Sequence, residues 1–209
     1  MIKAIIFDMD GVLIEAKDWH YDALNRALNI FGYHINRHDH LTKFDGLPTK
    51  DKLDILSAEY SLPVELHSFI NEMKQRYTME IVHTSCKPMF IHQYALSKLK
   101  AEGYKLAVAS NSIKNSVVTM MEKACLDSYL DLMLSNEDVS RGKPDPEIYL
   151  EAIKRLDVEP HECVVVEDND NGIRAARAAG ANVLVVDEVT DVKYSNIKKF
   201  VAELEAETK

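Results

Sequence analysis

The chain has 209 residues, 46% of them hydrophobic and 28% charged, with a formal net charge of −9 and a pI near 5.4. That length and apolar content support one domain or a core carrying an insert. The acidic balance argues against a general nucleic-acid or anionic-membrane binder, and no window is long and apolar enough to span a bilayer.

The chain opens MIKAIIFDMDGVLI. Residues 2–7 are an almost unbroken apolar run, which predicts a short strand buried on both faces of a parallel sheet. The start reads as a strand without a signal-peptide cleavage region. Cys86, Cys125 and Cys163 are an odd set without metal-ligand spacing, so a reduced, cytoplasmic setting is expected.

From Ala16 to about residue 79 the character is helical. Trp19, Ala23, Leu24, Ala27, Leu28 and Phe31 recur at helical spacing until Gly32. Leu53, Ile55 and Leu56 predict a second helix, and Pro63 through Tyr77 a third with Pro63 in its first turn. Residues 14–17 and 77–84 are the expected linkers. The predicted division is therefore core 1–15, helical cap 16–82 and core 83–209.

The core pattern resumes at Pro88 with a helix through Ile91, Tyr94, Leu96 and Leu99, then a strand over KLAVAS. A helix over 114–124 and a short strand over 130–134 follow. Asp145 and Pro146 read as N-cap and first residue of the next helix. CVVVE, 163–167, predicts a second doubly buried strand. A helix then starts at Asp170 or Asn171 and stops at Gly180, VLVV at 183–186 is the last strand, and a helix over about 195–205 closes the pattern. Alternating strands and helices imply a doubly wound parallel α/β sheet with right-handed crossovers, whose strand carboxyl ends form one ligand-binding rim.

Asp8, Asp10, Ser110, Asn111, Lys143, Glu167 and Asp168 are all predicted at that rim. Two carboxylates two residues apart, where a buried strand opens, carry a desolvation and repulsion cost that a hard cation on oxygen ligands relieves, and magnesium fits. Gly11 lets the chain turn so that backbone amides face an anion. Acids, a hydroxyl and a lysine together describe a phosphate site. Asp8 is the candidate nucleophile, forming an aspartyl phosphate, and Asp10 the candidate general acid and base. The expected metal ligands are Asp8, the Asp10 carbonyl, Asp168, and Glu167 directly or through water. Ser110 and the amides near Met9 and Asn111 are expected to donate to phosphoryl oxygens, with Lys143 neutralising charge.

FDMDGVL at 7–13, SNS at 110–112, GKPDPEIY at 142–149 and VVVEDNDNGIRAARAAG at 164–180 resemble, in order, the motifs of haloacid-dehalogenase-superfamily phosphotransferases, in the branch with β-phosphoglucomutase and small-metabolite phosphatases. The resemblance implies a Rossmann-like core with a helical cap inserted after the first strand. It assigns nucleophile, acid–base, phosphate and magnesium roles to Asp8, Asp10, Ser110 and Lys143, and Glu167 and Asp168. In similar proteins the cap closes over the rim; His20 matches a histidine common after the first motif, and residues 43–53 resemble the substrate-facing cap loop. Lys50, like Lys74, is a candidate contact for an anionic substrate.

The chain departs from the family where Ala16 stands for a hydroxyl and Asn169 for a serine. Thr49 and Lys50 also lie where mutase-type relatives carry an arginine. The implied activity is that of a magnesium-dependent phosphoric monoester hydrolase acting on a small phosphorylated metabolite, a sugar phosphate among the candidates. The alternatives are a phosphosugar mutase and a catalytically weak metabolite-binding regulator. No nucleic-acid or membrane partner is expected, and the chain is read as a monomer or weak homodimer.

Overall fold

Ala4–Phe7 forms β1 at the centre of a five-stranded parallel sheet. The computed structural model describes residues 1–44 and 46–207; Asp45, in the 43–53 loop, and Thr208 and Lys209 lie outside the described residues. In chain order the helices α1 (Lys17–Asn29), α2 (Arg37–Thr42), α3 (Thr49–Tyr60) and α4 (His67–Ser85) follow β1. Then come α5 (Phe90–Ala101), β2 (Lys105–Ala109), α6 (Lys114–Lys123), β3 (Leu132–Leu134) and α7 (Glu147–Arg155). The chain continues through β4 (Cys163–Glu167), α8 (Asp170–Ala178), β5 (Asn182–Val185) and α9 (Tyr194–Glu207).

The strand order is β3-β2-β1-β4-β5. Phe7 pairs level with Val108 on β2 and Val166 on β4, so the residues that leave these strands start from one height. The chain builds outward from β1 to β3 on one side and then returns to β4 on the other. The carboxyl end of β1 is thus the switch point where such sheets bind ligands. Ala4, Ile6, Ala107, Ala109, Cys163 and Val165 pack against α7 and α8 through Ile148, Tyr149, Ala152 and Ala175. The alternate residues Ile5, Phe7, Leu106, Val108, Val164 and Val166 are also fully buried, so both faces of the central strands are covered.

The chain divides into two compact units, one of Met1–Glu15 with the chain from Lys87 on, the other of Ala16–Cys86. The second is helical around its own apolar cluster of Leu24, Ala27, Leu28, Ile35, Phe44, Leu53, Leu56, Leu62 and Ile70. Buried Asn25 stitches it internally: its Oδ1 accepts from Ile35 N at 2.8 Å and its Nδ2 donates to Ile35 O at 3.0 Å.

Several local expectations are corrected. Residues 77–84, expected as a linker, are helical within α4. Its buried line is Ile70, Lys74, Thr78 and Val82, so two of the four inward positions are polar and the apolar period fades without the helix ending. Thr78 Oγ1 is satisfied by donating to Lys74 O at 2.9 Å. Pro63 precedes a single tight turn over Val64–Leu66, and α4 starts only at His67. The unpredicted α2 is too short and polar for a periodic signal; Asn36 caps it, accepting from Asp39 N at 2.9 Å. Asp145 does receive Glu147 N at 3.1 Å, but α7 begins at Glu147, one residue past Pro146.

Candidate active site

β1 delivers Asp8 directly: its amide donates to Val166 O at 3.0 Å, continuing the β1–β4 ladder by one residue. The chain then turns tightly. Met9 O accepts from Leu13 N at 3.0 Å and Ile14 N at 2.9 Å, while Gly11, at φ +92°, donates to Ile14 O at 2.7 Å. That left-handed conformation favours glycine. Met9 itself is fully buried.

At the end of β2, Ser110 is held by its amide on Leu134 O at 3.1 Å. Its Oγ accepts from Ser112 N at 3.0 Å, which leaves the hydroxyl proton to be donated elsewhere. Ser112 Oγ in turn donates to Asp10 Oδ2 at 3.0 Å. The Asn111 side chain is a backbone clamp: Oδ1 accepts from Lys143 N at 2.9 Å and Nδ2 donates to Lys143 O at 3.2 Å. A Cβ on Gly142 would sit 2.7 Å from Asn111 Oδ1, so the clamp needs glycine there.

Lys143 is 4% exposed, and its ammonium bridges two carboxylates, Asp8 Oδ1 at 2.5 Å and Glu167 Oε1 at 2.7 Å. Glu167 Oε1 also accepts from Tyr149 OH at 2.6 Å, and Oε2 accepts from the amides of Asp168 at 3.1 Å and Asn169 at 3.3 Å. Asn169, standing where many relatives have serine, caps α8 by accepting from Asn171 N at 2.9 Å. Gly172 is required by the same carboxylate, since a Cβ there would overlap Glu167 Oε1 at 1.7 Å.

Burial pushes the Asp8 carboxyl well up, Lys143 pulls it down, and Glu167, Asp10 and Asp168 push it up again. For Lys143, burial lowers the value but Asp8 and Glu167 outweigh it, so the amine is held above its ordinary range as a cation. Burial first, then Glu167 and Asp8, raise the Tyr149 phenol, which stays a hydroxyl donor. Carboxylate oxygens of Asp8, Glu167 and Asp168 lie within 4.8 Å of one another, the one such cluster of three metal-ligating side chains among the described residues. Asp8 thus feels three further carboxyl groups, Glu167, Asp10 and Asp168, while Lys143 pairs with Asp8 and Glu167. An all-oxygen set with surplus negative charge fits a hard divalent cation such as magnesium.

The sequence-predicted Asp8, Asp10, Ser110, Asn111, Lys143, Glu167 and Asp168 all fall in the α/β unit at the strand ends or the loops that follow them. Asn111 spends its side chain on Lys143, so only its backbone amide is left for a phosphate role. His20 and Lys50 belong to the helical unit. There His20 Nδ1 lies 3.3 Å from Lys74 Nζ, whereas Lys50 is exposed in the first turn of α3. Lys52, one turn into the same helix, is buried and was not singled out from sequence. Ser112, Tyr149 and Gly172 were also missed as site residues. Each lies inside one of the motifs SNS, GKPDPEIY and VVVEDNDNGIRAARAAG.

A parallel α/β core with clustered acids and a buried lysine at its switch point is an enzyme architecture of the hydrolase and group-transfer type. The chain belongs to the haloacid dehalogenase-like hydrolase family, whose sequence model matches residues 5–186. It is 32% identical over 182 residues to a phosphorylated carbohydrates phosphatase of Thermotoga maritima, covering 86% of this chain and 82% of that protein. It is 28% identical over 185 residues to the β-phosphoglucomutase of Bacillus subtilis, covering 86% and 80%. The crystal structure of β-phosphoglucomutase from Clostridium difficile superposes with a TM-score of 0.85 at 26% identity, covering 99% of this chain and 100% of that one. The fold is therefore the Rossmann-like haloacid dehalogenase core, and phosphatase-named relatives support an enzyme of that kind. No helix among the described residues is long and apolar enough to cross a membrane.

Proposed function

We propose that this protein hydrolyses the phosphate ester of a small metabolite, with a sugar phosphate as the leading class, through an aspartyl phosphate on Asp8 and with magnesium as cofactor. The observation that carries the reading is the Lys143 ammonium held between Asp8 and Glu167 inside a surplus of carboxylates. A binding-only site has no need for both an aligned nucleophile and a separately held second aspartate.

In this reading Asp8 attacks phosphorus, a P–O(Asp8) bond forms, and the bond to the alcohol oxygen breaks. Asp10, oriented by Ser112, gives its proton to that oxygen. The Asp10 carboxylate then takes a proton from water as the water oxygen attacks phosphorus, releasing inorganic phosphate and restoring Asp8. Lys143 balances charge on Asp8 and on the phosphoryl oxygens. Ser110 and the amides of Met9 and Asn111 donate to those oxygens; one well-placed donor contributes about 3 kcal/mol at a transition state. Asp8, Asp168 and the Asp10 carbonyl would hold magnesium, with the Glu167 carboxylate, whose acceptor sites are taken, adding its charge beside them; the bound ion would supply Lewis-acid stabilisation of the phosphoryl group. Asp168→Ala is expected to weaken magnesium binding and turnover together, by calorimetry and phosphate release. Unchanged magnesium affinity would remove Asp168 from the ligand set. Three cysteines without a disulfide fit a cytoplasmic setting, and we read the chain as a monomer or weak homodimer.

The second reading, a phosphosugar mutase, is favoured by the near-complete superposition on β-phosphoglucomutase. Against it, Thr49 and Lys50 stand where mutase-type relatives carry arginine, and lysine lacks arginine's planar bidentate grip on phosphate. Phosphorus NMR of sugar monophosphates with magnesium separates the two. Hydrolysis predicts free phosphate in proportion to substrate lost without a bisphosphate primer. Rapid isomer exchange with little free phosphate, stimulated by a sugar bisphosphate, would establish the mutase.

A further inference from the structure

The Glu167 carboxylate accepts four hydrogen bonds, from Lys143 and Tyr149 at Oε1 and from two backbone amides at Oε2. A carboxylate offers about four lone-pair sites, so all are in use. Tyr149, fully buried in the first turn of α7, occupies the second site on the very oxygen that holds Lys143. Its ring also faces the same ammonium, with Lys143 Nζ 4.8 Å from the ring centroid. The backbone of Lys143 is fixed by the Asn111 clamp, and Glu167 is confined by the close approach of Gly172. What remains adjustable is how the ammonium divides between Glu167 and Asp8.

We propose that Tyr149 is a positioning residue that sets this division: its hydroxyl takes up acceptor capacity on Glu167 Oε1, and its ring supports the ammonium, so that Lys143 stays on Asp8 and the phosphoryl group beside it. Without the hydroxyl, Glu167 Oε1 pulls harder on the only donor left to it, and the ammonium moves away from the nucleophile. The plainer account is that Tyr149 only fills the core between α7 and the sheet, where it is one of the largest buried side chains. Phenylalanine fills that space equally well but cannot donate, so Tyr149→Phe separates the two accounts.

The inference rests on the proposed phosphatase reading, and wild-type turnover is measured first. A wild-type chain that releases no phosphate from p-nitrophenyl phosphate or sugar monophosphates with magnesium overturns that reading and this inference with it. With an active wild type, Tyr149→Phe is expected to lower kcat about tenfold. KM and calorimetric magnesium affinity should each stay within about twofold. The same substitution made in a Glu167→Gln background should change kcat by less than about twofold, because the hydroxyl acts through the Glu167 carboxylate. A core-filling role moves none of these or moves them equally in both backgrounds. Wild-type kcat in Tyr149→Phe, or an equal loss in both backgrounds, would overturn the proposal while leaving the phosphatase reading intact. If Tyr149→Phe does not fold, Tyr149 is needed by the core beyond its ring volume, and the positioning account is equally overturned.

Discussion

The two units handle buried polarity in different ways. In the α/β unit the buried charges contact one another: Lys143 bridges Asp8 and Glu167, and Tyr149 and two amides complete Glu167. In the helical unit Asn25 satisfies the backbone of Ile35, and Lys74 Nζ lies 3.3 Å from His20 Nδ1. The first arrangement is a network in which each member fixes the next, so removing one should disturb reactivity before it disturbs the fold. In the second, Asn25 is a tie that holds one local piece of chain, the backbone of Ile35.

The largest expected effect comes from the centre of the network. Asp8→Asn should lower turnover by roughly 10⁴-fold or more while the chain stays folded, since it removes the nucleophile and also one of several repelling carboxylates. Near-normal turnover with an unchanged melting transition would break the nucleophile assignment. Lys143→Met comes next, with a loss of about 10³-fold in turnover and about 3 kcal/mol in stability, because Asp8 and Glu167 are left as uncompensated buried acids. Magnesium should recover part of that stability in thermal melts, since it replaces the missing positive charge. A variant as stable as wild type without magnesium would show that the carboxylates do not depend on Lys143.

Much of the network was legible because a parallel sheet brings sequence-distant motifs to one rim. The apolar runs ending at Asp8 and Glu167 fixed β1 and β4, and the residues just beyond them could only lie at the strand ends. What escaped reading is what depends on side-chain direction. Tyr149 has the spacing of an apolar core residue, and nothing in GKPDPEIY says that its hydroxyl reaches Glu167. The sequence offers the Asn111 amide as a phosphate contact but does not say that the Asn111 side chain clamps the backbone of Lys143. The helical unit was less legible still: polar Lys74 and Thr78 on the buried line of α4 hid the helix past residue 77, and buried Lys52 carries no periodic mark.

The Asn25 tie of the helical unit gives a smaller effect. Asn25→Ala should cost about 2 kcal/mol by stranding the Ile35 amide and carbonyl. Hydrogen exchange should then speed up within residues 16–86 while β1 and β4 keep their protection. Equal loss of protection in both regions would erase the distinction between network and tie.

The smallest effect tests a tie in the α/β unit. His92 is buried with Nε2 donating to Val189 O at 2.8 Å; burial lowers its pKa against the pull of the Val189 and Leu13 carbonyls. The unfolded chain therefore takes up the proton first as pH falls. The stability this group contributes is full above about pH 6.5 and is lost as pH drops from there towards the lowered folded value. His92→Gln should flatten that part of the stability profile in denaturant titrations. A variant profile parallel to wild type between about pH 7 and pH 5 would remove His92 as its source.

The central claim is that Asp8 carries the phosphoryl group. The most direct measurement is rapid quenching of the magnesium-loaded protein during turnover, followed by borohydride reduction and peptide mass spectrometry. An aspartyl phosphate on Asp8 is reduced to homoserine at that position, in an amount that rises and falls with the reaction and is absent without substrate. Full turnover with an unmodified Asp8 at every time point, or with the phosphoryl group on another residue, would contradict the account.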